Sequence, residues 1–257
     1  FRSKRTDGSI IPAPVQGREI LSYKEPVGVC GLVTPWNFPN AMIARKLAPA
    51  IAAGCTAVIK PSQDTPMSTL AIIALLEKIG LPPGVVNVVT SGPEKTPEVG
   101  TILAKDDRVR KISFTGSTRV GQLLMEQGSS TVKRFSMELG GDAPFIVFED
   151  ADFEAAVMGA ISGIFAATGQ TCIAGSRLLV QRSIHDKFVE RLVEVAGAAT
   201  IGDPMSTDTH VGPVTTPPQY EKILDYIAIA KSEGAKCVLG GGPYQGAGAK
   251  GQQFVQP

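Results

Sequence analysis

The chain has 257 residues, 25 Lys+Arg against 24 Asp+Glu, 43% hydrophobic residues and 19% charged residues. That apolar content excludes a dominantly disordered chain, and a net charge of +1 lacks the basic footprint of a nucleic-acid binder. No like-charge run marks a tail or a membrane-surface helix. The longest apolar stretch, residues 48–59, is interrupted by Pro49, Gly54 and Thr56 and is far shorter than the ~18 residues of a membrane span.

No basic start followed by an apolar h-region marks a signal peptide, and the chain opens on Phe1, so its start is expected to lie upstream. Cysteines stand at 30, 55, 172 and 237, with no CxxC and no Cys/His spacing suited to zinc. No metal is expected. The thiols read as reduced, which suits the cytoplasm or another reducing compartment. Cys30, Cys55 and Cys237 sit in apolar strand contexts and read as core thiols.

In chain order, residues 9–25 alternate weakly ahead of the first regular β-α unit. The pattern fits a hairpin that pairs with another subunit, and equally a surface arm on its own subunit. Residues 27–33 read as a strand, 41–53 as a helix kinked at Pro49, and 56–59 as a buried strand. Thr65 is placed to cap a helix with Pro66 at its first position, running to Lys78. Gly80 ends it, and Pro82, Pro83 and Gly84 turn the chain. Strands at 85–89, 109–114 and 134–139 alternate with helices at 98–104 and 118–127. This order predicts a parallel sheet covered on both faces.

A second stretch follows. Residues 145–148 read as a strand, and Asp152 caps a helix over 153–167. Residues 178–181 are a strand and 186–198 an amphipathic helix. Residues 218–231 form a helix with Tyr220, Ile223, Leu224, Ile227 and Ala230 on one face. Residues 236–239 read as a strand, 240–251 as a loop and 253–255 as the start of another strand.

The loop contains Gly246, Gly248 and Gly251 at G-x-G-x-x-G spacing. The dinucleotide fingerprint needs a strand before it and a helix after it. Neither is present, so the motif is read as a hairpin loop.

Candidate chemistry lies elsewhere. Cys172 follows Gly169, Gln170 and Thr171 among small and polar residues after a long helix, where a thiol can meet a ligand; a buried structural cysteine is the ordinary alternative. Glu138 stands at a strand end before Gly140 and Gly141, with room for water, as a general base would; the alternative is a solvated charge. Asn37, in Pro35-Trp36-Asn37-Phe38-Pro39, follows a strand and precedes a helix, where an amide can donate to an oxyanion; the alternative is a turn with a packed Trp36. Lys60, before Pro61 and Ser62, also ends a strand and can bond sugar hydroxyls or phosphate; the alternative is a surface lysine. Gly116, Ser117 and Gly121 open a helix whose N–H groups favour a phosphate; the alternative is an ordinary N-cap.

Together, Trp36-Asn37, Lys60-Pro61-Ser62, Gly116-Ser117-Thr118, Glu138 to Gly141, and Gly169-Gln170 with Cys172 are similar in order and spacing to the aldehyde dehydrogenase superfamily. The resemblance covers nearly the whole chain and implies a piece of about half the usual family length. It implies an α/β fold: a Rossmann-like parallel-sheet cofactor domain, without G-x-G-x-x-G, plus part of a second α/β catalytic domain. The divisions implied are 1–25 as an oligomerisation hairpin, 26–139 as the NAD(P)-binding domain and 140–257 as an incomplete catalytic domain. NAD or NADP is the implied cofactor, with homodimers or homotetramers the family habit.

Carried over by motif, Cys172 is the nucleophile, Asn37 holds the oxyanion and Glu138 activates water. Thr34, Pro35, Trp36, Lys60, Ser62, Gln63, Gly92, Gly116, Ser117, Gly121 and Leu139 are the implied cofactor residues. Gln63 departs from the acidic residue that many NAD-preferring members carry there, so NADP is not repelled. Asp142 stands where the family usually has Lys, Asn or an uncharged residue. The first half most resembles succinate-semialdehyde dehydrogenases. Arg45 matches one of two arginines that bind the substrate carboxylate there, but the second position is Ala166, so that substrate does not follow. The rivals are a cysteine acyl-transfer enzyme, which has no need of Lys60 or the Gly116 turn, and a non-catalytic fragment, which has no need of Asn37, Glu138 and Cys172 together.

Overall fold

In the computed structural model, which describes residues 6–246, 249 and 253–257, strands β1 (Ser9–Pro12) and β2 (Glu19–Ser22) pair antiparallel as a hairpin. All eight strand residues are exposed. Five parallel strands follow: β3 (Val29–Val33), β4 (Ala57–Lys60), β5 (Val86–Val88), β6 (Val109–Gly116) and β7 (Arg134–Leu139). Their order is β5-β4-β3-β6-β7. Helices α1 (Pro39–Ala52), α2 (Pro66–Lys78), α3 (Thr96–Lys105) and α4 (Thr118–Gly128) make the crossovers.

The central strands β3 and β4 are short and apolar because both faces are covered. On one face Ile43, Leu47 and Ala50 of α1 pack with Leu32, Ala57 and Ile59, joined by Ile72, Ile73 and Leu76 of α2. On the other, Leu103 and Ala104 of α3 and Leu124 of α4 pack with Ile112 and Phe114. α1 starts two residues earlier than predicted, with a proline in its first turn, and runs on through Pro49. Thr65 occupies the N-cap position of α2, but its side chain caps nothing; Thr65 Oγ1 is buried without a partner among the described residues. Gly80 turns the chain after α2 at φ +85°, where a β-carbon is strained.

By contacts the chain divides into two units, Phe1–Gly140 and Gly141–Pro257. In the second unit β8 (Pro144–Val147) and β9 (Arg177–Val180) pair in parallel. Helix α5 (Phe153–Phe165) is capped by Asp152, whose Oδ1 accepts from Ala155 N–H at 3.0 Å. Helices α6 (His185–Gly197) and α7 (Pro217–Ser232) follow. Phe188 of α6 is fully buried and meets the Phe153 ring edge-on at 5.7 Å. Val147, Val157 and Ala160 complete that core.

Four expectations are corrected here. The helix predicted to reach residue 167 ends at Phe165, because the chain breaks into a short 3-10 segment with Ala167 and Thr168 left-handed. Residues 236–239 form no strand; no neighbouring strand offers them a ladder. Residues 253–255 contribute one antiparallel bridge, Pro243 to Val255. Cys237 is exposed rather than a core thiol, as the missing strand requires. Of the rejected glycine motif, residues 247, 248, 250 and 251 lie outside the described residues. No helix among the described residues is long and apolar enough to cross a membrane.

Candidate active site

In a parallel sheet every strand points its carboxyl end to the same edge. The order β5-β4-β3-β6-β7 sends one set of crossovers left of β3 and the next right of it. β3 and β6 therefore flank the topological switch point, where such sheets open a crevice for ligands. Thr34, Pro35, Trp36 and Asn37 leave β3 at that edge, and Gly116 and Ser117 leave β6. Lys60 ends β4, and Glu138 and Leu139 end β7. The first unit thus gathers Thr34, Pro35, Trp36, Asn37, Lys60, Gly116, Ser117, Glu138 and Leu139 along one edge, while Arg45 lies on α1.

Thr34 is buried, and its N–H donates to Lys60 O at 3.2 Å, which ties the two loops together. Lys60 is not a surface lysine: it is 4% exposed. Burial lowers the pKa of its amine, and Asp64 opposes that shift. Ser62 is also buried; its hydroxyl donates to Asp64 Oδ2 at 3.0 Å and accepts from Asp64 N–H at 3.3 Å. Ser62 therefore shapes the loop, while Gln63 beside it is exposed. Asn37 is half-buried, and its Oδ1 accepts from Phe38 N–H at 3.1 Å, which orients the amide.

Ser117 is the N-cap of α4; its Oγ accepts from Val120 N–H at 3.4 Å. The amides of the first helical turn have no intrahelical acceptor, so they present partial positive charge to an anion. Gly121 is buried against Leu139: a Cβ there would stand 2.7 Å from Leu139 Cδ2. Its glycine is explained by close packing of α4 on β7. Gly92 follows β5, and its carbonyl accepts from the N–H groups of Lys95 and Thr96, both at 3.1 Å. It organises the turn into α3.

On β6 and β7 one face carries polar groups where a covered sheet ordinarily carries apolar ones. Ser113 lies opposite Ser136, and Thr115 opposite Glu138. This face lines a cleft of about 380 Å³ beneath α1, together with Cys30, Leu32, Arg45 and Lys46. Glu138 and Arg45 are exposed there. Lys46 and Thr115 were not singled out in the sequence. The apolar stripe Met42, Ile43, Leu47 and Ala50 of α1 contains Lys46 at helical spacing, a signal that a buried amine was to come.

The second unit carries Cys172, which is exposed. Its loop is pinned on both sides. Gln170 donates to Ala167 O at 3.1 Å and accepts from Thr215 N–H at 2.9 Å. Thr168 Oγ1 donates to Gly212 O at 3.2 Å, and Gly175 N–H to Gly163 O at 3.1 Å. Ala167 (φ 52°) and Thr168 (φ 57°) hold strained left-handed backbone, worth on the order of 1–3 kcal/mol each. Ala166 is exposed and brings no cation to the loop. No group of three or more His, Cys, Asp or Glu among the described residues could hold a metal ion.

Comparison with known proteins matches residues 2–257 to the aldehyde dehydrogenase family model. The chain is 45% identical over 255 residues to the mitochondrial succinate-semialdehyde dehydrogenase of Arabidopsis thaliana, covering 99% of this chain and 47% of that protein. It is 44% identical over 254 residues to the NADP(+) succinate-semialdehyde dehydrogenase of Escherichia coli, covering 99% and 51%. A crystal structure of betaine aldehyde dehydrogenase from Staphylococcus aureus in complex with NAD+ superposes with a TM-score of 0.93 at 38% identity, covering 100% of this chain and 50% of that one. The chain spans about half the length of the curated relatives it matches. With the parallel sheet, its switch-point crevice and the loop of Cys172, these matches show that the chain belongs to the aldehyde dehydrogenase family.

Proposed function

We propose that the protein oxidises an aldehyde to a carboxylic acid with NAD or NADP, through a thioester on Cys172. The observation that carries this reading is the gathering of Asn37, Lys60, Ser117 and Glu138 at one sheet edge in a chain that also exposes Cys172. The thiolate of Cys172 adds to the carbonyl carbon and forms a thiohemiacetal. The Asn37 amide and the Cys172 backbone N–H donate to the oxyanion. The chemistry supplied by a bound nicotinamide is hydride acceptance. Loss of hydride from the thiohemiacetal carbon leaves the thioester, and Glu138 takes a proton from the water that hydrolyses it.

The first unit fits a dinucleotide. Lys60 places a buried cation at the end of β4 for a ribose hydroxyl. The first turn of α4 offers amides to the pyrophosphate. Thr115 Oγ1, at the end of β6, is buried with no partner among the described residues, as suits a hydroxyl awaiting a polar ligand. Thr34, Pro35, Trp36, Gly92 and Leu139 shape the same edge, and Gln63 stands beside the ribose position. The divisions proposed are hairpin 1–25, cofactor domain 26–139 and catalytic domain 140–257. The hairpin exposes Ile10, Ile11, Ile20 and Leu21 and is proposed to pair copies as a homodimer or homotetramer. Four free cysteines suit the cytoplasm. Reduction of NAD and NADP by the full-length protein against a panel of aldehydes tests the reading. Cys172→Ala is expected to abolish turnover while cofactor binding survives; retained turnover removes Cys172 from the mechanism.

A further inference from the structure

Helix α7 ends beside a thiol that the reaction at Cys172 does not use. Cys237 follows the end of that helix and is exposed. Its Sγ–H donates to Leu239 O at 3.1 Å. Lys231, in the last turn of α7, donates from Nζ to Gly241 O at 2.6 Å. Gly240 and Gly241 both hold left-handed backbone, φ 56° and 77°, which turns the chain back on the helix end. The point that a Gly241 β-carbon would occupy is 2.5 Å from Cys237 Sγ and 3.2 Å from Lys231 Nζ. Sulfur and nitrogen thus share one small space, which the glycine leaves empty. Every contact of this group lies within residues 231–241, so the arrangement is local to that segment. No second cysteine stands in the segment to close a disulfide.

We propose that Cys237 and Lys231 form a redox modification site, where peroxide oxidises the thiol and the lysine amine closes on it as a sulfenamide. In the first step the sulfur attacks one oxygen of hydrogen peroxide. The O–O bond breaks, sulfur is oxidised by two electrons to the sulfenic acid, and the other oxygen leaves as water with the proton of the thiol. In the second step Lys231, having given its extra proton to water, directs its nitrogen lone pair at the sulfenic sulfur. An S–N bond forms, the S–O bond breaks, and the oxygen leaves as water with a proton from nitrogen. This step is redox-neutral, and hydrogen peroxide is the sole oxidant. A sulfenic acid condenses in this way with a nitrogen held beside it; here the fold holds a side-chain amine there. The bond ties the last turn of α7 to the segment that follows it. It also removes the sulfenic group that further peroxide would carry to the irreversible sulfinic acid. The site is independent of the dehydrogenase reading.

The test uses the full-length protein carrying Cys172→Ala, so that the other exposed thiol does not consume peroxide. It is treated with hydrogen peroxide and digested with trypsin, and the peptides are read by mass spectrometry with and without dithiothreitol. Oxidised protein is expected to lose cleavage after Lys231 and to yield the Lys231 and Cys237 peptides joined, two hydrogens lighter than their sum. Reduction is expected to restore both. Lys231→Arg, checked by circular dichroism, is expected to abolish the joined peptide and to accumulate a sulfinic acid at Cys237 that dithiothreitol does not reverse; Lys231→Gln serves if that variant does not fold. Dimedone, which traps sulfenic acid, is expected to label Cys237 severalfold more in the variant than in the protein with Lys231. Equal dimedone labelling of the two, a sulfinic acid formed with Lys231 in place, or Cys237 still a thiol after peroxide overturns the proposal. A bond from Cys237 to any nitrogen other than Lys231 Nζ overturns it as well.

Discussion

Glu138 lies opposite Thr115 on the sheet and lines an open cleft, so water reaches its carboxylate. If it serves the hydrolytic half of the reaction, Glu138→Gln slows deacylation more than hydride transfer. A pre-steady-state burst of NADH or NADPH is expected to appear or grow. Loss of the burst along with steady turnover would move Glu138 to an earlier step. Gln63 is the other residue with a separable role. A carboxylate at that exposed position would repel a 2′-phosphate by on the order of 1 kcal/mol or more at an effective dielectric near 20. That is a severalfold to tenfold bias. Wild type is expected to use NADP at least comparably to NAD, and Gln63→Glu to shift kcat/KM toward NAD. A wild type strongly selective for NAD, with an unchanged ratio in the variant, shows that Gln63 does not read the ribose. Glu138 was singled out by its motif, and Gln63 as a departure from the acidic residue expected there. Lys46 was not, because a lysine seldom marks a core, even though Met42, Ile43, Leu47 and Ala50 surround it at helical spacing.

At the scale of elements, β7 was predicted at residues 134–139 and found at Arg134–Leu139, and β6 extends two residues past its predicted end to Gly116. In β6 the apolar residues Val109, Ile112 and Phe114, and in β7 the alternation of Phe135, Met137 and Leu139 with polar residues before Gly140, made these legible. The strained turn at Ala167 and Thr168 was not, since its backbone is held by partners as distant as Gly212 and Thr215. Residues 236–239 failed for the converse reason. An apolar run forms a strand when a ladder partner exists, and local sequence does not reveal the partner. The contact of α4 with β7 supports a quantitative expectation. Gly121→Ala would put a methyl 2.7 Å from Leu139 Cδ2, and such overpacking costs about 1–3 kcal/mol. A lower denaturant midpoint checks it; an unchanged midpoint would show slack between helix and strand.

For the whole molecule, the buried amine of Lys46 couples stability to pH. Its folded value of about 8 lies below the ordinary 10.5. Below pH 8 both states carry the proton, and the fold bears the cost of a buried charge, on the order of 3 kcal/mol. Between pH 8 and 10.5 the folded state has released the proton and the unfolded state keeps it, so stability rises with pH. Lys46→Met is therefore expected to be more stable than wild type below pH 8, with the gap closing as pH rises through that interval. Denaturant midpoints on both sides of pH 8 measure it, and parallel curves would remove Lys46 from the linkage.

The switch-point arrangement also sets a timetable. Val29 of β3 pairs with Val109 of β6, a separation of 109 − 29 = 80 residues. A ribosome adds roughly 5–20 residues per second, so β3 waits about 4–16 s for its second neighbour. During that interval the edge of β3 that will meet β6 has no native partner, and its backbone N–H and C=O groups stay unpaired. The ligand crevice, bounded by that same late pairing, comes into existence among the last features of the sheet. The arrival of β6 is thus expected both to close that strand edge and to complete the crevice.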